Sequence, residues 1–446
     1  GLLMGCTAAA RAFDGHLEFT LDDNGCVVGY DANVDYFSPD RRALFAGNGV
    51  VPSTVTFASD FSIEYRHTYK ILRNLKNGKV YVLHQCGTPS TLLDLPSDAV
   101  GKPVFKVPIQ RWSTGTTIPI AFAEELGLNP LFVHTDMTYV TSPCSHKRVA
   151  CGAMNHSSAY GTLFATEVVD GSGSALHFTD DWGSGATSTT IDVAFDASSD
   201  PGMLARVEWI KLVSAFFNLE ARANRVFERI STEFHATTDA VSAAVLAGAV
   251  RPRVAFVDYY SWSSPPSFRV LTAAYLEEAA TKAGGILPSK DDLQAACGPI
   301  VGDTFECTSA TALKEVLKNL DAVIDRTYAS DYPSYTLDSF KSTFNITATE
   351  VNAGTFPFLT ANGTVLRNDR RLAEFSSGTY GNDFFESAVP YAEVWLKDLT
   401  SYLMPAAIES DYTPRFTRNI ATGDVPVIVG AAQCTDPFAV CPGEIA

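Results

Sequence analysis

The segment from Ala205 to about Phe234 constrains the fold more than any other part of the chain. Its apolar residues Leu212, Phe216, Leu219, Ala223, Val226 and Ile230 step by four and three, the spacing of one helical face. Val207, Ile210, Val213, Phe217 and Ala221 make a second stripe beside the first. A helix that is apolar over more than half its circumference is packed on two sides. Its thirty residues at the α-helical rise give roughly 45 Å, more than one lobe requires. Asp200-Pro201-Gly202 is a suitable entry. The expectation is a single spine helix at mid-chain with a folded lobe on either side.

The flanking sequence supports two lobes, since 446 residues exceed one compact core. Between Phe61 and Cys86, two strand-like runs flank Asn77-Gly78, a tight-turn dipeptide. Val104–Ile109 reads as a strand, Gln110–Thr116 as a polar loop, Thr117–Leu126 as a helix capped by Gly127, and Leu131–Val133 as a strand, together a βαβ unit. Asp170–Thr190 reads as loop and Ile191–Phe195 as a short strand. Beyond Arg251 the alternation restarts: strand Arg253–Val257, helix Val270–Lys282 closed by Gly284-Gly285, helix Ala310–Leu320, strand Ala322–Ile324. Phe356–Thr360 is strand-like, and Glu386–Leu403 is a helix with Trp395 and Leu399 inward. The fold class expected is α/β: two doubly wound α/β lobes joined by one long backbone helix, with a cleft between them. The divisions are an N-terminal extension over 1–55, a first lobe over 56–204, the linking helix over 205–249, a second lobe over 250–404 and a tail over 405–446.

Charge and cysteine content narrow the functional classes. Thirty-three basic against 50 acidic residues leave a net charge of −17, which argues against nucleic acid or anionic lipid as partner. No run of about 18 uncharged apolar residues occurs. Nine cysteines include three pairs close in sequence, Cys144 with Cys151, Cys297 with Cys307 and Cys434 with Cys441; Cys26 with Cys86 is the least costly further pairing, leaving Cys6 spare. Connectivity stays open at this level, and scattered buried thiols are the alternative. The opening GLLMGCTAAARA reads like the end of a signal peptide, and Leu3-Met4-Gly5-Cys6 resembles a lipoprotein cleavage box. The sequons at Asn155, Asn345 and Asn362 are no more than chance supplies. The balance favours an extracytoplasmic protein, secreted or at the cell surface.

Catalytic signatures are absent: no G-x-S-x-G, H-E-x-x-H, P-loop or G-x-G-x-x-G occurs. Cys144, His146, Cys151 and His156 fit no standard zinc spacing, and a disulfide flanked by surface histidines is the favoured reading. No enzyme, resident cofactor or metal is expected. What stands out is aromatic residues after the expected strands, where open α/β sheets bind ligands. Trp112 follows Val104–Ile109 and Tyr139 follows Leu131–Val133; Tyr259, Tyr260 and Trp262 follow Arg253–Val257; Tyr328, Tyr332 and Tyr335 follow Ala322–Ile324. Trp182 lies in the Gly/Ser-rich loop. Such rings suit a large, flat, partly polar ligand. About half of these nine are expected to touch it, and Trp209 and Trp395 are assigned to core.

The chain resembles the helical-backbone class of periplasmic substrate-binding proteins. Thr116–Leu126 with Val133–Tyr139 looks like that class's opening βαβ unit, and Arg206-Val-Glu-Trp-Ile-Lys, Phe217-Asn-Leu-Glu-Ala-Arg-Ala-Asn and Val226-Phe227 look like its spine helix. Ala283-Gly284-Gly285 matches its glycine turn. The resemblance covers roughly residues 60 to 404. The N-terminal extension, extra cysteines and tail look more like the eukaryotic branch, including the algal cobalamin acquisition proteins. It implies a monomer that captures cobalamin or a related corrinoid and delivers it to a membrane transporter or receptor. An iron–siderophore or haem ligand is the alternative, with Arg269, Arg370 and Arg371 as anion partners. A tetrapyrrole metal chelatase using His134, Asp136 and His146 is the enzymatic alternative, and a surface adhesion or scaffold protein is a third.

Overall fold

Short apolar strands alternating with helices fold here into five sheets, two of them large. The computed structural model describes residues 20–37, 52–91, 94–157, 175–180, 192–360, 363–436 and 438–442. A ribbon of Thr20–Leu21 (β1) and Val27–Val28 (β2) comes first. Phe61–Tyr65 (β3), Tyr69–Asn74 (β4) and Val80–Gln85 (β5) form an antiparallel meander, and Val104–Val107 (β6) joins β5 in parallel. Gly78, at φ 72°, turns β4 into β5 as the Asn-Gly dipeptide requires.

The first large sheet holds Arg111–Thr114 (β7), Phe132–Asp136 (β8), Asn155–Ser157 (β9), Ala175–Thr179 (β10) and Asp192–Ala194 (β11). Its order is β11-β10-β7-β8-β9, with every pairing parallel. The chain winds outward from β7 on one side and returns to wind outward on the other. The reversal lies between β7 and β10, so a crevice opens at their carboxyl ends. Helix Ile118–Glu125 (α1) makes the β7–β8 crossover, and Pro143–Ala150 (α2) follows β8.

Two expectations fail here for one reason. Gln110–Thr116 was expected to be loop and contains β7, while Asp170–Thr190 contains the wholly buried β10. Both strands are rich in hydroxyl and imidazole groups, which look like loop in sequence but are satisfied internally. Ser113 Oγ lies 2.6 Å from His177 Nδ1, and Thr114 Oγ1 donates to the Thr116 carbonyl at 2.6 Å. Val104–Val107, expected to open the βαβ unit, belongs to the meander sheet instead.

The spine is shorter than expected. Met203–Glu208 (α3) and Ile210–Phe217 (α4) are separated only by Trp209, itself in a right-handed helical conformation, but Asn218 adopts a left-handed conformation (φ 55°, ψ 39°) and ends the run. A new helix, Glu220–Leu246 (α5), follows; its 27 residues span about 40 Å. The two apolar stripes are thereby explained. Every residue of α4 is buried in the first lobe, whereas α5 buries a single stripe of Ala223, Phe227, Ile230, Phe234, Thr237 and Val241.

The second large sheet has the order β14-β15-β13-β12-β16-β17-β20, built from Val254–Tyr260 (β12), Ser267–Leu271 (β13), Ile300–Val301 (β14), Thr304–Cys307 (β15), Ala322–Asp325 (β16), Val365–Arg367 (β17) and, beyond a further sheet, Arg418–Asn419 (β20). Strands β12, β16 and β17 are parallel, and the rest flank them antiparallel. Helix Ala274–Lys282 (α6) packs near β12. The further sheet orders Thr379–Asn382 (β19), Arg371–Ser376 (β18) and the tail strand Val427–Val429 (β21). Pro390 interrupts the expected helix Glu386–Leu403, leaving Asp383–Ser387 (α7) and Ala392–Leu403 (α8). Phe356–Thr360 forms a 3₁₀ turn over Pro357–Leu359 rather than a strand.

The fold is mixed α/β, with a parallel sheet and a mixed sheet of three central parallel strands joined through α5. The disulfides correct two pairings. Cys26–Cys86 and Cys297–Cys307 form as expected, but Cys144 bonds Cys434 and Cys151 bonds Cys441. Cys144 and Cys151 lie two turns apart on one face of α2, roughly 10 Å along the axis. That exceeds disulfide reach, so both turn to the tail. Cys6 lies outside the described residues.

Candidate functional site

The carboxyl ends of both sheets face one crevice. On one side Gly115–Thr117 follow β7, and Tyr139 follows β8. On the other, Arg326 and Tyr328 follow β16, the end of β19 delivers Asn382, and α7 delivers Phe385. Two adjoining chambers result. One, of about 260 Å³, is lined by Thr116, Asp136, Tyr139, Tyr328, Tyr332 and Tyr380 among others. The other, of about 210 Å³, is lined by Arg206, Tyr275, Arg326, Phe384 and Trp395 among others. Phe385, 52% exposed, lines both.

The structure brings together part of the expected aromatic set. Tyr260, Trp262, Tyr328 and Tyr332 form a continuous ladder, with ring centroids 5.7 Å (Tyr260–Trp262), 4.9 Å (Trp262–Tyr328) and 6.0 Å (Tyr328–Tyr332) apart. Trp262 is the outer rung at 66% exposure and Tyr332 the inner one at 7%. Tyr139 faces Tyr328 and Tyr332 across the first chamber. Others lie elsewhere. Trp112 sits inside β7 rather than after a strand, stacked on Phe132 at 3.9 Å with its indole N–H donated to the Leu128 carbonyl, so it is core. Tyr335 is core beneath the site, its ring 3.7 Å from the Arg367 guanidinium. Tyr259 packs on Phe268 at 5.1 Å and is outside both linings. Trp182 lies outside the described residues. Trp209 and Trp395 are buried as expected, but Trp395 also lines the second chamber.

Sequence reading missed Arg206, Tyr275, Arg326, Tyr380, Asn382 and Phe385. Only Arg326, one residue past β16, carried a signal, since strand-end position was the criterion and rings were the residue type sought. The arginines expected to meet an anion are engaged otherwise. Arg269 grips Asp258 with two nitrogens, Arg371 Nε stands 3.4 Å from Asp383, and Arg370 lies 4.0 Å from Asp424. Beneath the crevice, Arg367 bridges Asp325 at 2.5 Å and Asp369 at 2.7 Å, which fixes the end of β16.

The lobes meet in a polar seam beside the crevice. The Thr141 amide donates to Glu386 (2.7 Å) and its hydroxyl to Asp383 (3.0 Å), while Ser142 donates to Glu124. Arg415 pairs with Asp383 at 3.0 Å. Gly381 is required here by close approach, because a Cβ would collide with the Tyr139 carbonyl. Burial pushes the Glu124 and Glu393 carboxyls up to about 7 and raises Glu386 well above its ordinary value; Asp383 adds to the Glu386 shift and Asp436 to that of Glu124. Raised carboxyl values favour the folded state at low pH, and that contribution is lost as pH climbs from about 4.5 through 7. Thermal melting is expected to fall across that window, and Glu386→Gln, which keeps the acceptor for Thr141, should flatten the slope. An identical pH profile in the variant would remove Glu386 as a cause.

The Cys/His group forms no cation site of the kind considered from spacing. Both cysteines are in disulfides, and His146 Nε2 lies 2.8 Å from the Val140 carbonyl. His134 is buried within β8 and lines neither chamber, whereas Asp136 lines the first. Among the described residues no helix is long and apolar enough to cross a membrane.

No family model matches the chain, and no curated protein matches it. Solved structures similar to it include a periplasmic heme-binding protein from Pseudomonas aeruginosa, at 14% identity over 72% of this chain and 99% of that one, TM-score 0.44. A TroA-like periplasmic binding protein, FepB, from Veillonella parvula is similar at 11% identity over 71% and 96%, TM-score 0.45. Staphylococcus aureus SirA, complexed with staphyloferrin B, is similar at 13% identity over 68% and 94%, TM-score 0.42.

Proposed function

We propose that the chain is an exported substrate-binding protein that captures a large, flat small molecule between its lobes and passes it to a membrane transporter. The observation that carries this reading is the ladder Tyr260–Trp262–Tyr328–Tyr332, whose inner rungs Tyr328 and Tyr332 line the first chamber while Tyr260 and Trp262 continue outside it. The rings meet edge-to-face or tilted, at 77°, 47° and 76°, and such aromatic side chains offer broad contact area at low entropic cost. Four disulfides among the described residues fit an oxidising compartment.

The favoured ligand is cobalamin or a related corrinoid. The Tyr332 hydroxyl is a neutral phenol suited to the amide-rich rim of a corrin. Each chamber alone is smaller than a typical ligand pocket. The macrocycle would therefore lie on the ladder at the mouth, with its periphery entering the chambers on either side of Phe385. Haem or an iron–siderophore is the second reading, favoured by Arg206 and Arg326 at the crevice. Among the described residues lining the two chambers none pairs a nucleophile with a base, and the chain is read as a carrier.

Calorimetric titration of the full chain with cyanocobalamin, haemin and a ferric siderophore tests this. Binding at micromolar or tighter affinity is expected for one of them, weakened at least tenfold by Trp262→Ala or Tyr328→Ala. Trp112→Ala should instead lower stability, as loss of a core ring does. Folded protein that binds none of the three would end the capture reading.

A further inference from the structure

Arg206 and Arg326 are the least compensated cations near the crevice of an otherwise acidic chain. Arg206 leaves α3 and stacks on Tyr275, its guanidinium carbon 3.5 Å from the ring centroid; its Nε donates to the Asp200 carbonyl at 2.7 Å. Arg326 donates to the Tyr275 hydroxyl at 3.0 Å, and its guanidinium lies 5.2 Å from the centre of Phe384. Tyr275 thus holds two guanidiniums against one phenol. Among the described residues no carboxylate forms an ion pair with either; Asp258, which Arg326 influences, is already gripped by Arg269, and Glu278 accepts from the Met203 amide. The remaining walls are mostly apolar, Ile118, Met203, Phe385, Val389 and Trp395 among them, with Ser198 the other polar group.

Two neighbouring cations in an apolar chamber repel each other and lose hydration, and both costs are relieved by an anion between them. Burial holds Arg206 below its ordinary value, the Tyr275 hydroxyl works against that, and the charge of Arg326 adds a smaller push downward that Asp200 opposes. We propose that the chamber under Phe385 is an oxyanion subsite, in which Arg206 and Arg326 take a carboxylate or phosphate group carried by the ligand while its ring system rests on the aromatic ladder. This rests on the capture reading and adds a selectivity to it: a macrocycle lacking a peripheral oxyanion is a poor ligand. The fork geometry of arginine suits either group, and the phosphodiester of a cobalamin side chain or the propionates of haem would each supply one.

Matched ligand pairs test the subsite without altering the protein. Cyanocobalamin is compared with dicyanocobinamide, which lacks the phosphodiester, and haemin with its dimethyl ester. The full chain should bind the oxyanion-bearing member of at least one pair tenfold or more tightly; the corrinoid pair reports phosphate and the haem pair carboxylate. In Arg206→Gln and Arg326→Gln that preference should shrink to less than threefold, with melting temperature used to verify folding. Equal binding of both members of each pair to the unaltered chain overturns the proposal even if the capture reading stands. If neither a macrocycle nor the ferric siderophore binds, the capture reading falls, and pyrophosphate and citrate alone become the probes. A melting shift in the unaltered chain that vanishes in both variants then supports the subsite, and equal shifts in all three proteins overturn it.

Discussion

Lys70→Met is expected to destabilise the protein by about 3–5 kcal/mol, because it leaves Glu220 as a buried carboxyl without its partner. The two side chains are 2.5 Å apart and fully buried. The Lys70 ammonium also donates to the Ala215 carbonyl and the Asn218 side-chain oxygen, both at 2.7 Å. Burial pulls Lys70 below and Glu220 above their ordinary values, and each partner's charge resists that. One ammonium therefore ties three points around the left-handed turn to β4 of the meander sheet. Asn218 donates in turn to Gln85 at the end of β5 (2.8 Å). The direction in which α5 leaves the first lobe is set here. Replacing both partners, Lys70→Met with Glu220→Leu, should recover most of the loss, since an apolar pair of similar volume removes the unpaired charge. Urea unfolding of the single and double variants measures both terms. A single variant within 1 kcal/mol of the unaltered chain would show that water reaches Glu220 and that the turn is held by backbone alone.

That junction also shows what the sequence could and could not reveal. The four-and-three spacing through Ala205–Phe234 correctly indicated helix and burial, but periodicity continues in phase across a left-handed residue. Asn218 and its tether Lys70 are separated by 148 positions, and a lysine on a strand reads as solvent-facing. The same limit explains Trp112. Its placement depended on ending a strand at Ile109, whereas the buried strand is the hydroxyl-rich Arg111–Thr114, whose polar groups find partners on β10. The ladder residues were accessible because they close or follow apolar β12 and β16, where position alone suffices, although β12 runs on through Tyr259 and Tyr260. The arginine pair was not, because Arg206 acts through the first turns of a helix otherwise sunk in the core. Local spacing also suggested cysteine neighbours that the rigid geometry of α2 forbids.

The tail gives the second large effect. After α8 the chain adds β20 and β21 to the second lobe and then crosses to the first, where Cys434 and Cys441 bond α2 and Asp436 accepts from Asn129 at 2.6 Å. Each disulfide alone closes a loop with a sequence separation of 290. With one in place, the other closes only the short ring between α2 and the tail. In the loop-entropy picture either single removal costs about 3 kcal/mol, and removing both costs on the order of 5 kcal/mol more. Cys434→Ser and Cys441→Ser are therefore expected to be strongly non-additive, read as urea midpoints of the singles against the double. The double variant should also loosen the seam at Thr141 and Gly381, because the lobes would then be joined only through α5 and non-covalent contacts. Under the proposed capture role, ligand dissociation should quicken in the double variant while the singles stay close to the unaltered chain. Additive losses in the two singles would mean that each bond constrains a separate part of the chain, and that the tail is an appendage of α2 rather than a strap across the lobes.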